Sequence, residues 1–388
     1  ALGADGGRYA QRRLAERDYP ALMREPIRDL VVFESWRGRQ YSDSPRAIYE
    51  ELRRRGDGRE CVWISADGQV RPPGEARVVL RGSRAHYEAL AHASHVFSNE
   101  NAPDWFVKRE GQVYVQTWHG TPLKRIAHDI PDIRFNNGAD YLRRFSLEVA
   151  KWDLLLSPNS FSTPIFSRAF RYDGPVLQSG YPRNDPLHRP EGRQEAARVR
   201  RALGVSPDRK VVLYAPTWRD DQGLSGGRYQ MDMRLDFDRA RRVLGDDYAF
   251  LFRGHLHTSK VSRPTGPDDP FLDVTRYPDV TDLLLVADVL ITDYSSVMFD
   301  YAGTGRPILL FTYDLEHYRE RLRGFYLDLA EHAPGPLLST SDEVIDALAD
   351  LEGTVSAHAP AHRAFRDRFC HLDDGNASAR VLDHVFRG

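Results

Sequence analysis

Short runs of β-branched and aromatic residues alternate with amphipathic helical patterns along almost the whole chain. In the first half the runs that predict strands are LVVFES, CVWIS, ARVVL, HVFSN, QVYVQTW, DLLLSP and PVLQSG. The segment SPRAIYEELRRRG predicts a helix with Ser44 as its N-cap, Pro45 in its first turn and Gly56 as its stop. Such alternation of strands and helices predicts parallel sheets that are covered by helices on both faces.

The segment YPRNDPLHRPEGRQ, residues 181–194, interrupts this pattern with three prolines and no apolar period. We therefore predict an N-terminal domain at residues 1–185 and a C-terminal domain at residues 186–388. The second domain repeats the pattern with the strands KVVLYAPTW, YAFLFRGH, FLDVT, DVLITDY and RPILLFTY, and Thr340 to Glu343 predict a capping box. The expected fold is α/β, with two Rossmann-like, doubly wound domains that face a central cleft. Ligands are expected beyond the carboxyl ends of the strands.

The composition excludes several classes of function. The chain has 388 residues and a formal net charge of −2, which argues against a nucleic-acid binder that relies on bulk positive charge. Because Cys61 and Cys370 are the only cysteines, neither a disulfide framework nor a thiolate zinc site is predicted, and an intracellular, cytoplasmic protein is expected. The longest apolar stretch, DLLLVADVLIT, is too short to span a bilayer, and no signal peptide is predicted.

The strand QVYVQTW runs directly into a group of residues that suit chemistry on an anion. His119, Gly120 and Thr121 follow the strand, and Lys124 and Arg125 lie just behind them. Glycine permits close approach of a ligand to the backbone, and the two cations suit an anionic substrate. The structural alternative is a histidine that only supports the turn.

A second group follows a buried apolar strand of the C-terminal domain. This strand ends at Asp293, and Ser295 and Ser296 stand where the next helix begins. A helix N-terminus offers free N–H groups and the positive end of the helix dipole, and the hydroxyls add donors for a phosphate. The alternative is that either serine is an ordinary N-cap. No G-x-x-x-x-G-K-[ST] motif occurs, so a Walker-type NTPase is excluded.

Histidines and arginines follow other strands of the same domain. FLFRGHLH supplies Arg253, His255 and His257, and VLYAPTWRDD supplies Thr217 and Arg219. Two histidines at i and i+2 suggest a metal, but no third ligand lies nearby in sequence, so contact with a polyanion fits better.

The tract RLRGFYLD adds Arg321 and Arg323, for which a solvated face or a structural ion pair is the alternative. Together, the strand ends of both domains present histidines, serines at a helix start and several arginines. This combination predicts a site for a phosphate-rich substrate with acid–base chemistry, without a metal and without a cofactor. The residues alone lead no further.

In their order along the chain, these segments resemble the CDP-glycerol glycerophosphotransferases, the polyol-phosphate polymerases of teichoic acids and capsules. The resemblance covers roughly residues 95 to 330 and rests on GQVYVQTWHGTPLKRIAHD, VVLYAPTWRDD, FRGH and VLITDYSSVMFDYAGTGRPILLFTYDLEHYRERLRGFYLD. It implies a GT-B-like fold. It also implies transfer of glycerol phosphate from CDP-glycerol, or ribitol phosphate from CDP-ribitol, to the terminal hydroxyl of a polyol-phosphate or glycan acceptor, with release of CMP. A lipid-linked acceptor is part of this expectation.

The resemblance further implies roles for individual residues. His119 would be the general base, and His255 would contact the donor diphosphate and assist the departure of CMP. Ser295 and Ser296 would hold the diphosphate, and Arg323 would be a further clamp. We also expect substrate contacts from Gly120, Thr121, Lys124, Thr217, Arg219, Arg253, Asp293 and Asp300.

Two parts of the chain differ from the family pattern or have no match in it. Leu256 follows His255, where family members have proline, so the family's loop shape is not carried over there. Residues 8–30 mix basic and acidic side chains, and we expect a surface helix that makes peripheral contact with the inner face of the membrane.

Two other functions remain open from the sequence, because a fold does not define an activity. One is a glycosyltransferase of the same fold that uses a nucleotide sugar. The other is a non-catalytic nucleotide-binding module of a larger assembly.

Overall fold

The computed structural model describes residues 7–131, 138–217, 223–224, 228–229, 234–254, 271–315 and 324–386. The chain divides into two compact units, each built on a parallel β-sheet. Unit 1 comprises Ala1–His119, Ile133–Asp185 and Leu372–Gly388. Unit 2 comprises Gly120–Asp132 and Pro186–His371.

The strands of the described residues begin and end as follows. They are β1 Arg28–Glu34, β2 Glu60–Ser65, β3 Arg77–Leu80, β4 Ala93–Ser98, β5 Val113–Gln116, β6 Leu154–Ser157, β7 Val176–Gln178, β8 Lys210–Ala215, β9 Gly223–Leu224, β10 Arg228–Tyr229, β11 Tyr248–Phe252, β12 Phe271–Asp273, β13 Val289–Thr292, β14 Ile308–Phe311 and β15 Leu337–Leu338.

The α-helices of the described residues lie between and after these strands. They are α1 Arg8–Arg13, α2 Tyr19–Leu22, α3 Asp43–Arg54, α4 Arg84–His92, α5 Gly138–Val149, α6 Ser162–Phe170, α7 Asp185–His188, α8 Gly192–Ala202, α9 Phe237–Leu244, α10 Val280–Val286, α11 Val297–Ala302, α12 Leu329–His332, α13 Ser341–Ala349, α14 Leu351–Phe369 and α15 Ala377–Phe386. A π-helical turn spans Leu14–Asp18, and 3₁₀ turns span Trp36–Gly38, Ala127–Asp129 and Pro182–Asn184.

The order of the strands confirms the predicted doubly wound α/β architecture. Unit 1 has the order β3-β2-β1-β4-β5-β6-β7, and the larger sheet of unit 2 has the order β12-β11-β8-β13-β14-β15, with β9 and β10 as a separate pair. Neighbouring strands of both large sheets run parallel. In each sheet the chain builds outward on one side of its first strand and then returns to the other side. The switch points, where ligands of such sheets bind, therefore lie between β1 and β4 and between β8 and β13.

The strands are apolar on both faces because helices cover both faces of each sheet. In β1, Val31, Val32 and Phe33 are all fully buried. The ring of Phe33 stacks on those of Trp63 in β2 and Phe97 in β4, with centroids 5.5 and 5.3 Å apart. Such continuous apolar runs are typical of parallel strands between two helical layers.

The structure confirms one predicted helix start and corrects another. Thr340 and Glu343 form the expected capping box at the start of α13. The prediction of Ser44 as the N-cap of α3 is wrong, because the helix begins at Asp43 and its N-cap is Ser42. Asp43 has a positive φ of 63°, and its Oδ1 accepts a hydrogen bond from the Ser44 N–H at 2.6 Å. This local turn moves the start of the helix by two residues toward the N-terminus.

A single cut of the chain between residues 185 and 186 would not separate the two compact units, because two segments lie on the other side of it. The segment Gly120–Asp132 belongs to unit 2, and Leu372–Gly388 belongs to unit 1. The final helix α15 is held in unit 1 by Asp185, whose carboxylate accepts the N–H groups of Ala377 and Ser378 at 2.8 Å each. Long-range hydrogen bonds thus assign these segments, and a linear reading of composition does not detect such bonds.

Apolar side chains of the N-terminal segment pack on unit 1. Leu14, Tyr19 and Leu22 are buried. In the same segment Tyr9 is 83% exposed, and elsewhere in unit 1 Val107 and Leu147 are 60% and 58% exposed. In the part of the chain that the structure describes, no helix is both long and apolar enough to cross a bilayer.

Candidate active site

At the switch point of unit 1, hydrogen bonds connect three residues that lie within three positions after the ends of strands β1, β4 and β5. The N–H of Trp36, after β1, donates to Oδ1 of Asn99, after β4, at 2.9 Å, and Asn99 is fully buried. The main-chain carbonyl of Asn99 in turn bonds Nδ1 of His119, after β5, at 2.9 Å. Because a carbonyl oxygen only accepts, Nδ1 carries a hydrogen, so that Nε2 is the nitrogen that can accept a proton.

Aromatic rings enclose the half-buried imidazole of His119. The Trp118 ring stacks on it with centroids 4.3 Å apart, and the Trp36 ring lies 5.1 Å away at a tilt of 51°. Trp118 is itself packed against Phe166 and Phe170, with centroids 6.1 and 4.6 Å apart. The position of the imidazole is therefore defined by packing as well as by the bond to Asn99.

A buried ion pair holds the backbone at His119. Nη1 of Arg183 donates to the carbonyl oxygen of His119 at 2.9 Å and lies 3.1 Å from Oδ2 of Asp43. The side chains of Arg183 and Asp43 are only 5% and 4% exposed. The guanidinium thus supplies a hydrogen-bond donor to the main-chain carbonyl of His119 just beyond the end of the strand.

Backbone strain concentrates around this histidine. The non-glycine residues Trp36, Arg37, Asp43 and Trp118 have positive φ values of 49°, 56°, 63° and 52°. Such conformations cost about 1–3 kcal/mol each and are typical of functional sites. The rings of two of these residues, Trp36 and Trp118, contact His119, and the strain there supports a functional role for the cluster.

At the switch point of unit 2, the predicted substrate residue Asp293 is engaged with the protein backbone. Asp293 is 1% exposed. Its carboxylate oxygens accept the Thr217 N–H at 2.9 and 3.1 Å, and Oδ1 also accepts the Tyr294 N–H at 2.6 Å. The carboxylate joins the loops after β8 and β13, which favours a structural role for Asp293 and positions Thr217 beside it.

Arg253 follows β11 and also bonds the protein backbone. Its Nη1 donates to the carbonyl oxygen of Tyr277 at 2.7 Å. Burial lowers the pKa of the guanidinium, while Asp279 and Asp282 oppose this change. The Arg253 side chain thus stabilises the turn after β12.

The two serines of the predicted phosphate site lie at the start of α11. Ser296 is the N-cap of this helix, but its side chain forms no capping bond. Oγ of Ser295 accepts the Val297 N–H in a long contact of 3.4 Å. Both serines are half-buried, whereas Asp300, inside α11, is only 4% exposed. The serines therefore remain the better candidates for ligand contact, and the burial of Asp300 favours a structural role.

Two motifs that are about two hundred residues apart in sequence pair with each other in unit 2. Lys124 forms an antiparallel bridge with Phe325, and the Tyr326 N–H donates to the Leu123 carbonyl at 2.8 Å. The Phe325 ring lies 5.6 Å from that of Tyr294, which precedes the two serines. Gly120 and Thr121 are buried in the same unit. The tracts that begin with GTPLK, DYSS and GFYLD are thereby brought together within unit 2.

Several predicted residues lie outside the described residues. They are Arg219, His255, Leu256, His257, Arg321 and Arg323.

Sequence reasoning missed the residues that support His119. Asn99 ends the run HVFSN, so the rule that singled out His119, a polar residue at the carboxyl end of a strand, would also have found Asn99. Arg183 lies in the proline-rich segment at which the sequence predicts the domain boundary, and no local pattern marks it.

In the part of the chain that the structure describes, no group of three or more His, Cys, Asp or Glu residues has the geometry of a metal site. The cysteines offer no reactive thiolate either. Cys61 and Cys370 are buried, without a disulfide, and burial raises the pKa of the Cys61 thiol to about 11.

Comparison with known protein families matches residues 19–387 to the family described as CDP-Glycerol:Poly(glycerophosphate) glycerophosphotransferase. The teichoic acid poly(glycerol phosphate) polymerase of Bacillus subtilis (strain 168) is 40% identical over 371 residues, which are 94% of this chain and 50% of that protein. The teichoic acid glycerol-phosphate transferase of Staphylococcus aureus (strain NCTC 8325 / PS 47) is 38% identical over 375 residues, 95% of this chain and 96% of that protein. The chain thus spans about half the length of the first relative and nearly all of the second.

Among solved structures, the wall teichoic acid polymerase TagF has the same fold. It is 39% identical to this chain, with a TM-score of 0.89 over 97% of this chain and 92% of that chain. A TagF structure from a 15 minute soak with CDPG is 38% identical, with a TM-score of 0.90 over 97% of this chain and 93% of that chain. This likeness confirms the expected GT-B-like fold.

Proposed function

The chain belongs to the CDP-glycerol:poly(glycerophosphate) glycerophosphotransferase family, and from this premise we propose that it transfers glycerol phosphate from CDP-glycerol to a teichoic-acid-like polymer. The terminal hydroxyl of the acceptor attacks the phosphorus that bears the glycerol. A new phosphodiester bond forms, the bond from that phosphorus to the bridging oxygen breaks, and CMP leaves with that oxygen. CDP-ribitol is the alternative donor within the same chemistry.

The observation that carries most weight for this proposal is the hydrogen bond from Nδ1 of His119 to the Asn99 carbonyl. It leaves Nε2 as the acceptor for the hydroxyl proton, which a general base in this reaction needs. The proton lost by the acceptor hydroxyl thus goes to Nε2 of His119. General-base assistance typically contributes about 10²–10⁴-fold to the rate.

For the donor, we propose that Ser295 and Ser296 contact the diphosphate. Their support is the half-buried position of both side chains and the absence of a capping bond from Ser296. Lys124 is proposed as a further contact, because its segment pairs with the one that contains Phe325. Phosphoryl transfer requires mainly positioning and stabilisation of charge, and hydroxyls and cations supply both.

His255, Arg219 and Arg323 are proposed on the family resemblance alone. His255 would assist the departing CMP, and the two arginines would contact the phosphates of the donor. Asp293, Arg253 and Asp300 are proposed to support the site from within unit 2, since their side chains are buried or bonded to backbone.

We further propose peripheral contact with an anionic membrane surface through the groove that contains Val107 and Leu147. This groove of about 860 Å³ is also lined by Trp105, Arg143 and Arg144. Exposed apolar side chains beside cations are typical of membrane-surface contact. Residues 8–30 are less suited to it, because Leu14, Tyr19 and Leu22 of that segment are buried, although Tyr9 is exposed.

Flotation with vesicles that contain anionic lipid tests this contact at low salt. The wild-type protein is expected in the lipid fraction, and the double variant Val107→Ser/Leu147→Ser is expected to lose most of that binding. Equal flotation of both proteins would locate the contact elsewhere.

Release of CMP tests the proposed activity. The protein is incubated with CDP-glycerol, CDP-ribitol or UDP-glucose, with and without a glycerol-phosphate-primed acceptor, and the nucleotides are separated by ion exchange. We expect CMP from one CDP-polyol only when the acceptor is present. Release of a nucleoside diphosphate from UDP-glucose alone would instead identify a glycosyltransferase. No turnover with any donor would favour the nucleotide-binding module.

The variant His119→Ala tests the role of the base in the same assay. We expect kcat to fall by about 10²–10⁴-fold with the affinity for the donor retained. His384→Ala, at an exposed position in α15, is the matched control and should turn over normally. Normal turnover by His119→Ala would exclude His119 as the base.

A further inference from the structure

We propose that Asn99, Arg183 and Asp43 form a positioning unit that keeps the His119 ring in its Nδ1–H form and its loop in the strained conformation that the reaction uses. This inference deepens the function proposed above and rests on it for the role of Nε2. None of the three residues is proposed to touch the substrate.

The carbonyl of Asn99 determines which nitrogen of the His119 ring carries the hydrogen. In water a histidine ring favours the Nε2–H form, which leaves no basic lone pair on Nε2. The Asn99 carbonyl, 2.9 Å from Nδ1, reverses this preference because it can only accept. The carbonyl is itself fixed, since the buried Asn99 side chain bonds the Trp36 N–H at 2.9 Å. The Asn99 residue thus connects the loop after β1 to the imidazole.

A buried ion pair holds the backbone of His119. One guanidinium nitrogen of Arg183 bonds the His119 carbonyl oxygen at 2.9 Å and lies 3.1 Å from Asp43. Both side chains are almost fully buried, so neither charge is compensated by water. A buried bridge of this kind holds the His119 carbonyl in one place far more firmly than an exposed pair would.

The backbone is strained at two residues beside this ion pair and His119. Asp43, which pairs with Arg183, and Trp118, which precedes His119, both have left-handed backbone conformations, with φ of 63° and 52°. Such conformations persist only when surrounding contacts enforce them. We infer that the Arg183–Asp43 bridge enforces the loop at Trp118 and His119, and that the loop relaxes when the bridge is removed.

The test reads the form of the ring directly and does not require turnover. The protein is labelled with ¹⁵N-histidine, the His119 signals are assigned as those lost in His119→Gln, and two-bond ¹H–¹⁵N spectra report which ring nitrogen carries the proton. In the wild-type protein we expect His119 in the Nδ1–H form. In Arg183→Gln we expect a shift toward the Nε2–H form.

Kinetics supply the second readout. With CDP-glycerol and acceptor, Arg183→Gln is expected to lower kcat by about 10- to 100-fold with the KM for the donor unchanged, since only the geometry of the base is altered. The double variant Asp43→Asn/Arg183→Gln, which removes both charges of the bridge, should be no slower than the single variant. If Arg183→Gln does not fold, the double variant gives both readouts.

Arg380→Gln is the matched control. In the wild type, Arg380 also lies in unit 1, bonds the carbonyls of Ser179 and Leu372 at 2.9 and 2.6 Å and pairs with Asp374, without contact to His119. Its loss should leave both the His119 signals and kcat unchanged, even where the melting temperature falls.

Two results would overturn the proposal: His119 in the Nε2–H form in the wild-type protein, or unchanged His119 signals in a folded Arg183 variant. A protein that releases no CMP but whose His119 signals respond to Arg183→Gln would retain the positioning unit and lose the proposed function. The two failures are therefore distinguishable.

Discussion

At the switch points of both sheets, a polar side chain after one strand bonds the backbone after the neighbouring strand, but the residues differ. In unit 1 the side chain of Asn99, after β4, accepts the N–H of Trp36, which follows the neighbouring strand β1. In unit 2 the side chain of Asp293, after β13, accepts the N–H of Thr217, which follows the neighbouring strand β8. In both units a short polar side chain thus closes the gap between the two strands at which the chain changes direction.

The difference between the two lies in what remains for a ligand. Asn99 is a neutral amide whose main-chain carbonyl holds the catalytic candidate His119. Asp293 is a carboxylate whose oxygens are engaged with the N–H groups of Thr217 and Tyr294. A polar residue at a strand end therefore indicates a ligand only after the hydrogen bonds that the protein itself makes with it have been counted.

Removal of the two side chains should show the largest difference between the units. We expect Asp293→Ala to lower the free energy of unfolding by about 3 kcal/mol, because the N–H groups of Thr217 and Tyr294 lose a charged acceptor. Asn99→Ala removes one neutral bond and should cost about 1 kcal/mol. Urea denaturation followed by circular dichroism measures both. Equal losses would mean that the charge of Asp293 adds nothing to the stability that its hydrogen bonds supply.

Acidification should affect unit 1 through His86. This buried ring accepts the Gly82 N–H on Nδ1 at 3.0 Å, and burial, together with Arg81, lowers its pKa from 6.5 to about 3. Since the unfolded chain binds a proton below pH 6.5 and the folded one does not, stability is present above that pH and is lost as the pH falls toward about 3. The loss is about 1.4 kcal/mol per pH unit over this range.

His86→Asn keeps an acceptor for the Gly82 N–H but does not titrate. The pH dependence of its unfolding free energy between pH 6 and pH 4.5 should be shallower than that of the wild type by about 1.4 kcal/mol per pH unit. His384→Asn, at an exposed position, is the control and should follow the wild type. Parallel curves for His86→Asn and wild type would contradict the prediction.

The smallest effect is expected within unit 2, where Tyr326 bonds the segment Gly120–Asp132. The Tyr326 hydroxyl donates to Oδ2 of Asp129 at 2.7 Å and accepts the Ile126 N–H at 3.3 Å. Tyr326→Phe should weaken this pairing by about 1 kcal/mol. Hydrogen exchange should accelerate at residues 123–129 and stay unchanged in α3 of unit 1. Tyr9→Phe, at a residue that is 83% exposed, is the control. Faster exchange in both units would contradict a local effect.

Features that depend on neighbouring residues follow from the sequence more directly than features that depend on distant contacts. The strand QVYVQTW and the capping box at Thr340 were predicted because both depend on neighbours within a few residues. The N-cap of α3 was misplaced because the left-handed conformation of Asp43 leaves no trace in composition. The roles of His119, Ser295 and Ser296 stay predictions that the proposed assays address.

The sequence by itself determined the alternation of strands and helices, the positions of the polar residues at strand ends and the family resemblance. All of these are recorded in short segments, because side-chain period and motif spacing are local properties. Only the tertiary structure decided which nitrogen of His119 accepts a proton and that Arg183 and Asp43 hold its loop. It also decided that the Asp293 carboxylate accepts hydrogen bonds from backbone N–H groups. These depend on hydrogen bonds between residues 20 to 140 positions apart, which form only when the parallel strands bring their carboxyl ends to one edge.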